Sequence, residues 1–344
     1  MKYWIKLKIC CNQLVLSYAL KIHLLMIGFM IIMQKKIIID TDPGQDDAVA
    51  ILLALASPNE LNVLGITTVA GNVPLNFTSK NARIICELAG RPELKVFAGS
   101  NSPMFRPLIT AEHVHGKTGL DGPVFPEPKM SLQDKNGIDF LIDSLETHEP
   151  GSITLCCLGP LTNIAIAIEK APEIITRAKE IVMMAGAYFE VGNITPAAEF
   201  NVFVDPEAAK IVLNSSVKKT FLPLDVTHKL LVTKAQIEAF ESFGTRVGKV
   251  VSEMLQFSER FDKQKYGSNA APLHDPSVIA YLLKPSLFSG RFVNVEIETE
   301  SLLTLGMTVA DWWGVSGREA NANFIGDVDI EGFFNLLTER LASL

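Results

Sequence analysis

Four carboxylates crowd residues 35–56, KKIIIDTDPGQDDAVAILLALA: Asp40, Asp42, Asp46 and Asp47. The apolar run Ile37, Ile38, Ile39 reads as a buried strand, Pro43 and Gly44 as a turn, and DDAVAILLALA as a buried helix. The acids therefore fall at the carboxyl end of a strand and the amino end of a helix, where open α/β sheets keep their ligands. A helix start favours Asp46 and Asp47 by about 0.3–1 kcal/mol each, which leaves Asp40 and Asp42 unexplained. Carboxylates a few ångströms apart repel unless one takes up a proton or a cation neutralises the group. Ca²⁺ or Mg²⁺ suits such a group, because both prefer oxygen ligands.

Three later segments carry residues of the right kind to complete a site. HVHGKTGLDGP, residues 113–123, is a polar glycine-rich loop bounded by proline, and loops of that kind carry function more often than packing. GNITPAAEFNVFVDPEAA, residues 192–209, offers Asn193, Glu199 and Asn201, whose amides and carboxylate are able to hold sugar hydroxyls. Turn chemistry explains Asn193 and Pro196 well and Glu199 poorly. LHDP, residues 273–276, places His274 and Asp275 before the apolar run SVIAYLL. Taken alone, Asp275 reads as a helix cap and His274 as an ordinary hydrogen-bonded histidine.

The elements that must position these residues alternate along the chain. Strands are expected over 61–70, 94–98, 153–158, 180–184 and 219–224, and helices over 76–90, the stretch after 158, and 205–215. Strands separated by helix-length segments imply parallel pairing with crossover helices, hence an α/β fold with a mostly parallel central sheet. Beyond residue 233 longer helices follow, over 234–243 and 245–261, then SVIAYLL and two β-rich runs over 291–299 and 302–308. No Pro/Gly/Ser-rich linker divides the chain, so residues 34–344 are expected to form one domain.

Residues 1–33 stand apart. Lys2, Lys6 and Lys8 precede an apolar stretch interrupted by Lys21 and His23, and no small-x-small cleavage site follows it. An extension upstream of a functional start at Met33 is favoured over a membrane anchor, because a charge near the bilayer centre costs about 2.5–3.5 kcal/mol. The net charge of −7 speaks against a nucleic-acid partner, which demands a basic face. Cys10, Cys11, Cys86, Cys156 and Cys157 form no C-x-x-C pair, so reduced thiols in a cytoplasmic protein are expected rather than disulfides or a zinc site.

DTDPGQDDA, TVAGN at 68–72, HGKTGL at 115–120, LGPLTNIA at 158–165, GNITPAAEFN and LHDP occur in the order found in the nucleoside hydrolases. The chain resembles the inosine–uridine preferring type, ribohydrolases with a Rossmann-like fold. The likeness runs from residue 35 almost to the end and includes GMTVADWW at 306–313.

The resemblance implies Ca²⁺-dependent hydrolysis of the N-glycosidic bond of purine or pyrimidine ribonucleosides, in nucleoside catabolism or purine salvage. It implies Ca²⁺ held by Asp42, Asp47, Asp275 and the backbone carbonyl of Leu158. Asp42 would also be the general base toward the attacking water. Asp46 and Asn72 would hold ribose hydroxyls, and Met184, Asn193, Glu199 and Asn201 would line the ribose pocket. His274 would protonate or orient the leaving base, with His115 near the base and Tyr266 a candidate to stack on it or donate to it. It also implies a homodimer or homotetramer. The family's Met-Gly-Gly is here Met184-Ala185-Gly186. The chemistry is coherent, since an oxocarbenium-like state favours anionic surroundings and a metal eases deprotonation of water.

Two other kinds of protein share parts of this pattern. A phosphohydrolase of the haloacid dehalogenase type also puts D-x-D after a first strand, but follows it with Gly-Thr where this chain has Pro43-Gly44; GDVD at 326–329 lies too near the end to supply its later acidic pair. A non-catalytic Ca²⁺-dependent nucleoside or ribose binder needs no proton donor such as His274 opposite its metal.

Overall fold

The computed structural model describes residues 34–266 and 270–344. The extension expected over residues 1–33 lies outside them.

Twelve strands and nine helices of eight or more residues are found among the described residues. The strands are β1 (Lys35–Thr41), β2 (Leu61–Thr68), β3 (Val96–Ala98), β4 (Ile153–Cys157), β5 (Glu180–Met184), β6 (Lys219–Leu222), β7 (Leu231–Val232), β8 (Ala271–Pro272), β9 (Phe288–Val293), β10 (Val295–Ile297), β11 (Thr308–Ala310) and β12 (Ala322–Val328). The helices are α1 (Gln45–Leu55), α2 (Leu75–Leu88), α3 (Gly137–Thr147), α4 (Thr162–Lys170), α5 (Pro206–Asn214), α6 (Lys234–Glu241), α7 (Arg246–Tyr266), α8 (Pro276–Leu283) and α9 (Ile330–Leu341).

Eight strands form the central sheet in the order β3-β2-β1-β4-β5-β6-β12-β9, parallel throughout except for the antiparallel edge strand β9. Ile37 and Ile39 enter the core on one face of the sheet and Ile38 the core on the other. A strand buried on both faces reads as an unbroken apolar run, which is why β1 does not alternate. Helix α1 is apolar on every side for the same reason, being packed against α2, α7, α8 and α9.

The chain leaves β1 for β2 and β3 on one side and returns to β4 on the other. The reversal opens a crevice at the carboxyl ends of β1 and β4, the place where doubly wound sheets bind ligands. Asp40 pairs with Cys157 across these strands, so Asp42 emerges beside the Leu158–Gly159 end of β4.

The second half departs from expectation in detail. Residues 302–306 form a turn rather than a strand, with Leu302 and Leu303 96% and 85% exposed, and only Thr308–Ala310 is extended. A short apolar run is ambiguous by itself, and here Gly306 at φ +76° completes a turn that the run does not signal. The run over 291–299 is split between β9 and β10 at Asn294. Helix α3, strand β12 and helix α9 were not anticipated. No helix among the described residues is long and apolar enough to cross a membrane.

Candidate active site

Asp42 and Asp47 are completely buried beneath the crevice, and Asp46, Asn72 and Asp275 line the cavity above them. Asp47 accepts hydrogen bonds from Thr41 Oγ1 at 2.5 Å, Gly44 N at 3.0 Å and Asn72 Nδ2 at 3.1 Å. Ligand oxygens of Asp46, Asp47 and Asp275 all lie within 4.8 Å of one another. Asp42 Oδ1 and Asp46 Oδ1 are buried without a hydrogen-bond partner. Burial, then the charge of Asp47, pushes the Asp42 carboxyl well above the usual carboxylate range. Burial, then Asp46, Asp47 and Asp42, does the same to Asp275. A set of oxygen donors with orphaned atoms and mutual repulsion fits a hard divalent cation.

The fourth carboxylate of the first motif belongs elsewhere. Asp40 accepts from Thr67 Oγ1 at 2.5 Å and Asn163 Nδ2 at 2.7 Å, away from the cavity, and burial pushes its pKa to about 7. Asp275 from α8 completes the acidic group instead. It occupies the cap position of α8, but its side chain makes no capping bond, so the capping explanation open to it from sequence fails.

The ribose-lining candidates meet at the ends of β4 and β5. Asn201 Nδ2 donates to the carbonyls of Leu158 at 2.7 Å and Met184 at 3.0 Å. The Leu158 carbonyl keeps a second lone pair, as a metal ligand requires. Glu199 caps the short helix Phe200–Val204, accepting from Asn201 N at 2.7 Å and Val202 N at 3.2 Å, and also takes Gly186 N at 3.0 Å. Turn chemistry thus accounts for Glu199 far better than the sequence suggested, because FNVFV forms a helix turn that its apolar composition hid. Burial raises its carboxyl to about 7. Asn193 Oδ1 accepts from Phe200 N at 2.9 Å.

Two histidines complete the cavity. His274 Nδ1 lies 2.8 Å from Thr227 Oγ1, and burial, then His228 and His115, pushes its pKa down to about 3. His115 Nδ1 lies 2.7 Å from Gln45 Oε1, and its ring rests on the turn so closely that a Cβ at Gly44 would sit 2.4 Å from Nδ1. Gly44 has φ −94°, so this approach rather than a left-handed backbone is what requires glycine. Burial lowers the His115 pKa, against the opposing charges of Asp46 and Asp47. Tyr266 closes α7, and its side chain lies outside the described residues.

Leu158, Met184, Asn193, Glu199, Asn201, His115 and His274 line one cavity with Asp46, Asn72 and Asp275. Sequence reasoning missed Gln45, Thr227 and Asn81. Asn81 Nδ2 donates to Pro43 O at 2.9 Å and Thr118 O at 2.7 Å, pinning the 113–123 loop to the acidic turn. None of the three carries a spacing signal.

Residues 37–335 match the family model described as inosine-uridine preferring nucleoside hydrolase. The chain is 54% identical over 309 residues to an uncharacterized protein of Schizosaccharomyces pombe, covering 90% of this chain and 99% of that one. It is 44% identical over 311 residues to the pyrimidine-specific ribonucleoside hydrolase RihA of Salmonella schwarzengrund, covering 90% and 99%. Among solved structures, a purine-preferring ribonucleoside hydrolase from Gardnerella vaginalis superposes with TM-score 0.84 at 31% identity, over 90% of this chain and 98% of that one. A plant nucleoside hydrolase, PpNRh1, gives 0.82 at 32% over 90% and 99%. With the acidic crevice at the β1–β4 reversal and a match over most of its length, the chain belongs to the inosine–uridine preferring nucleoside hydrolases, enzymes that hydrolyse the N-glycosidic bond of nucleosides.

Proposed function

We propose that the domain over residues 34–344 hydrolyses ribonucleosides with Ca²⁺ at the acidic crevice, and that pyrimidine ribonucleosides are its better substrates. The observation that carries the metal is the buried, unpartnered Asp42 Oδ1 in a group of mutually repelling carboxylates, with oxygens of Asp47, Asp275 and the sugar-facing Asp46 within 4.8 Å of one another. The pyrimidine preference is supported by the 44% identity to a pyrimidine-specific relative, against 31% to a purine-preferring one.

Asp42, Asp47, Asp275 and the Leu158 carbonyl would hold the ion. Bound there, Ca²⁺ supplies the charge that lets neighbouring carboxylates stay ionised and makes a water molecule more acidic. Asp42 takes the proton of the attacking water. Asp46, Asn72, Glu199 and Asn201 hold ribose hydroxyls, with Met184 and Asn193 shaping the pocket. These contacts raise the rate to the extent that they strengthen as the sugar flattens toward the oxocarbenium state. A ring held at a pKa of about 3 is neutral at rest, so His274 orients the departing base by hydrogen bonding, and His115 faces the substrate beside it. Association as a homodimer or homotetramer and a cytoplasmic setting belong to the same reading.

The test is release of free base from uridine, cytidine, inosine and adenosine, before and after chelation. Release that chelation abolishes and Ca²⁺ restores, fastest with uridine or cytidine, is expected. Binding of nucleoside without any release would favour a non-catalytic binder.

A further inference from the structure

Gln45 is 1% exposed and opens α1 directly before Asp46. Its Nε2 donates to two backbone carbonyls, His115 O at 2.9 Å and Asp121 O at 3.1 Å. Carbonyl oxygens only accept, so the amide has one possible orientation, and Oε1 must be the atom 2.7 Å from His115 Nδ1. An amide oxygen also only accepts. The proton between them therefore belongs to Nδ1, and a neutral imidazole carries only one. The ring rests against Gly44, so turning it over would cost the Gln45 contact. Nε2 makes no hydrogen bond among the described residues, and the ring lines the cavity with Asp46 and Asn72.

We propose that Gln45 fixes His115 as the Nδ1–H tautomer, leaving Nε2 to accept a hydrogen bond from an O–H or N–H of the nucleoside. Gln45 is then a specificity-determining positioning residue that never touches the substrate. The opposite tautomer would donate to a base carbonyl, so the choice decides which substrates the site welcomes. Outside the 2′- and 3′-hydroxyls assigned above to Asp46, Asn72, Glu199 and Asn201, uridine offers two such donors: the ribose 5′-hydroxyl and the base N3–H. The donor half of this inference rests on the nucleoside reading above; the tautomer half does not.

The first arm reads the tautomer without turnover, by ¹⁵N NMR of the full-length protein labelled at histidine, with His115 assigned by its loss in His115→Asn. A protonated-type Nδ1 and a bare-type Nε2 are expected, giving way to a mixed or reversed pattern in Gln45→Leu. A reversed pattern in the wild type, or one unmoved in Gln45→Leu, overturns the proposal. The second arm compares kcat/KM for uridine, 5′-deoxyuridine and 3-methyluridine. Loss of the accepted donor lowers kcat/KM about tenfold in the wild type and about twofold or less in Gln45→Leu. Asn81→Ala, which loosens the same loop without touching the ring, keeps the tenfold penalty. Which analogue suffers identifies the donor. No penalty with either analogue, or a penalty that survives in Gln45→Leu, overturns the donor half. The expected tautomer with no base release from any nucleoside overturns the donor half together with the nucleoside reading, whereas a reversed tautomer in an active enzyme overturns the inference alone.

Discussion

The backbone N–H of Asn72 donates to Asp42 Oδ2 at 2.7 Å, and Asp42 Oδ1 is left buried without a partner. One oxygen is spent on holding the carboxylate and the other is left for the ion and water of the proposed reaction. Asp42→Asn is expected to lower kcat about a thousandfold at saturating Ca²⁺ while nucleoside still binds, within the usual range for loss of a general base. Turnover within tenfold of wild type would remove Asp42 from that role.

Stability of the metal-free protein should fall as pH rises from 6.5 to 8. Asp40 and Glu199 titrate near 7 when folded, and Asp42 and Asp275 are raised well above their ordinary values. The folded state thus binds protons that the unfolded state has already released, and that stabilising difference disappears as pH climbs through the folded values. The lowered His274 and His115 act in the opposite sense only below about pH 6.5, the ordinary histidine value. Thermal melts after chelation test the sign, and Ca²⁺ should flatten the slope. A melting temperature that rises over this window would contradict the burial of these groups.

Gly44→Ala is expected to fold and to lose about 10- to 100-fold in kcat/KM, the range for small misplacement of site groups. The new Cβ would fall 2.4 Å from His115 Nδ1 and must push the ring away. Base release at the wild-type rate would show that the ring position is immaterial.

Thr227 is fully buried and its hydroxyl lies 2.8 Å from His274 Nδ1. Thr227→Val keeps the shape and removes that bond. A drop of about tenfold in kcat/KM with an unchanged melting temperature is expected, and equal activity would leave His274 held by packing alone.

The first strand, turn and helix were legible because Ile37–Ile39 and DDAVAILLALA are long, strongly apolar signals around an acidic turn. His274 and Asp275 acquired meaning only through family likeness, since each has an ordinary local explanation. Asp40 was grouped with its neighbours because sequence gives spacing, not the face on which a side chain leaves the strand. The capping role of Glu199, which stands beside its proposed place at the sugar, was hidden because its helix is a single apolar turn. Gln45 stayed invisible: its partners His115 and Asp121 lie 70 and 76 residues away, and only the tertiary fold brings them together.

Asp40 opposite Cys157 fixes β1 against β4, and with it the offset between Asp42 and the Leu158 carbonyl. The distance between the two halves of the crevice floor is therefore held by ladder hydrogen bonds rather than by loops. His113 and His115, by contrast, come from a short helix on the 113–123 loop, and Leu255 and Phe261 from α7. The crevice floor is thus built into the sheet, while the rim facing it comes from the 113–123 loop and α7, which are tied to that floor by Gln45, Asn81 and the packing of α7 on α1.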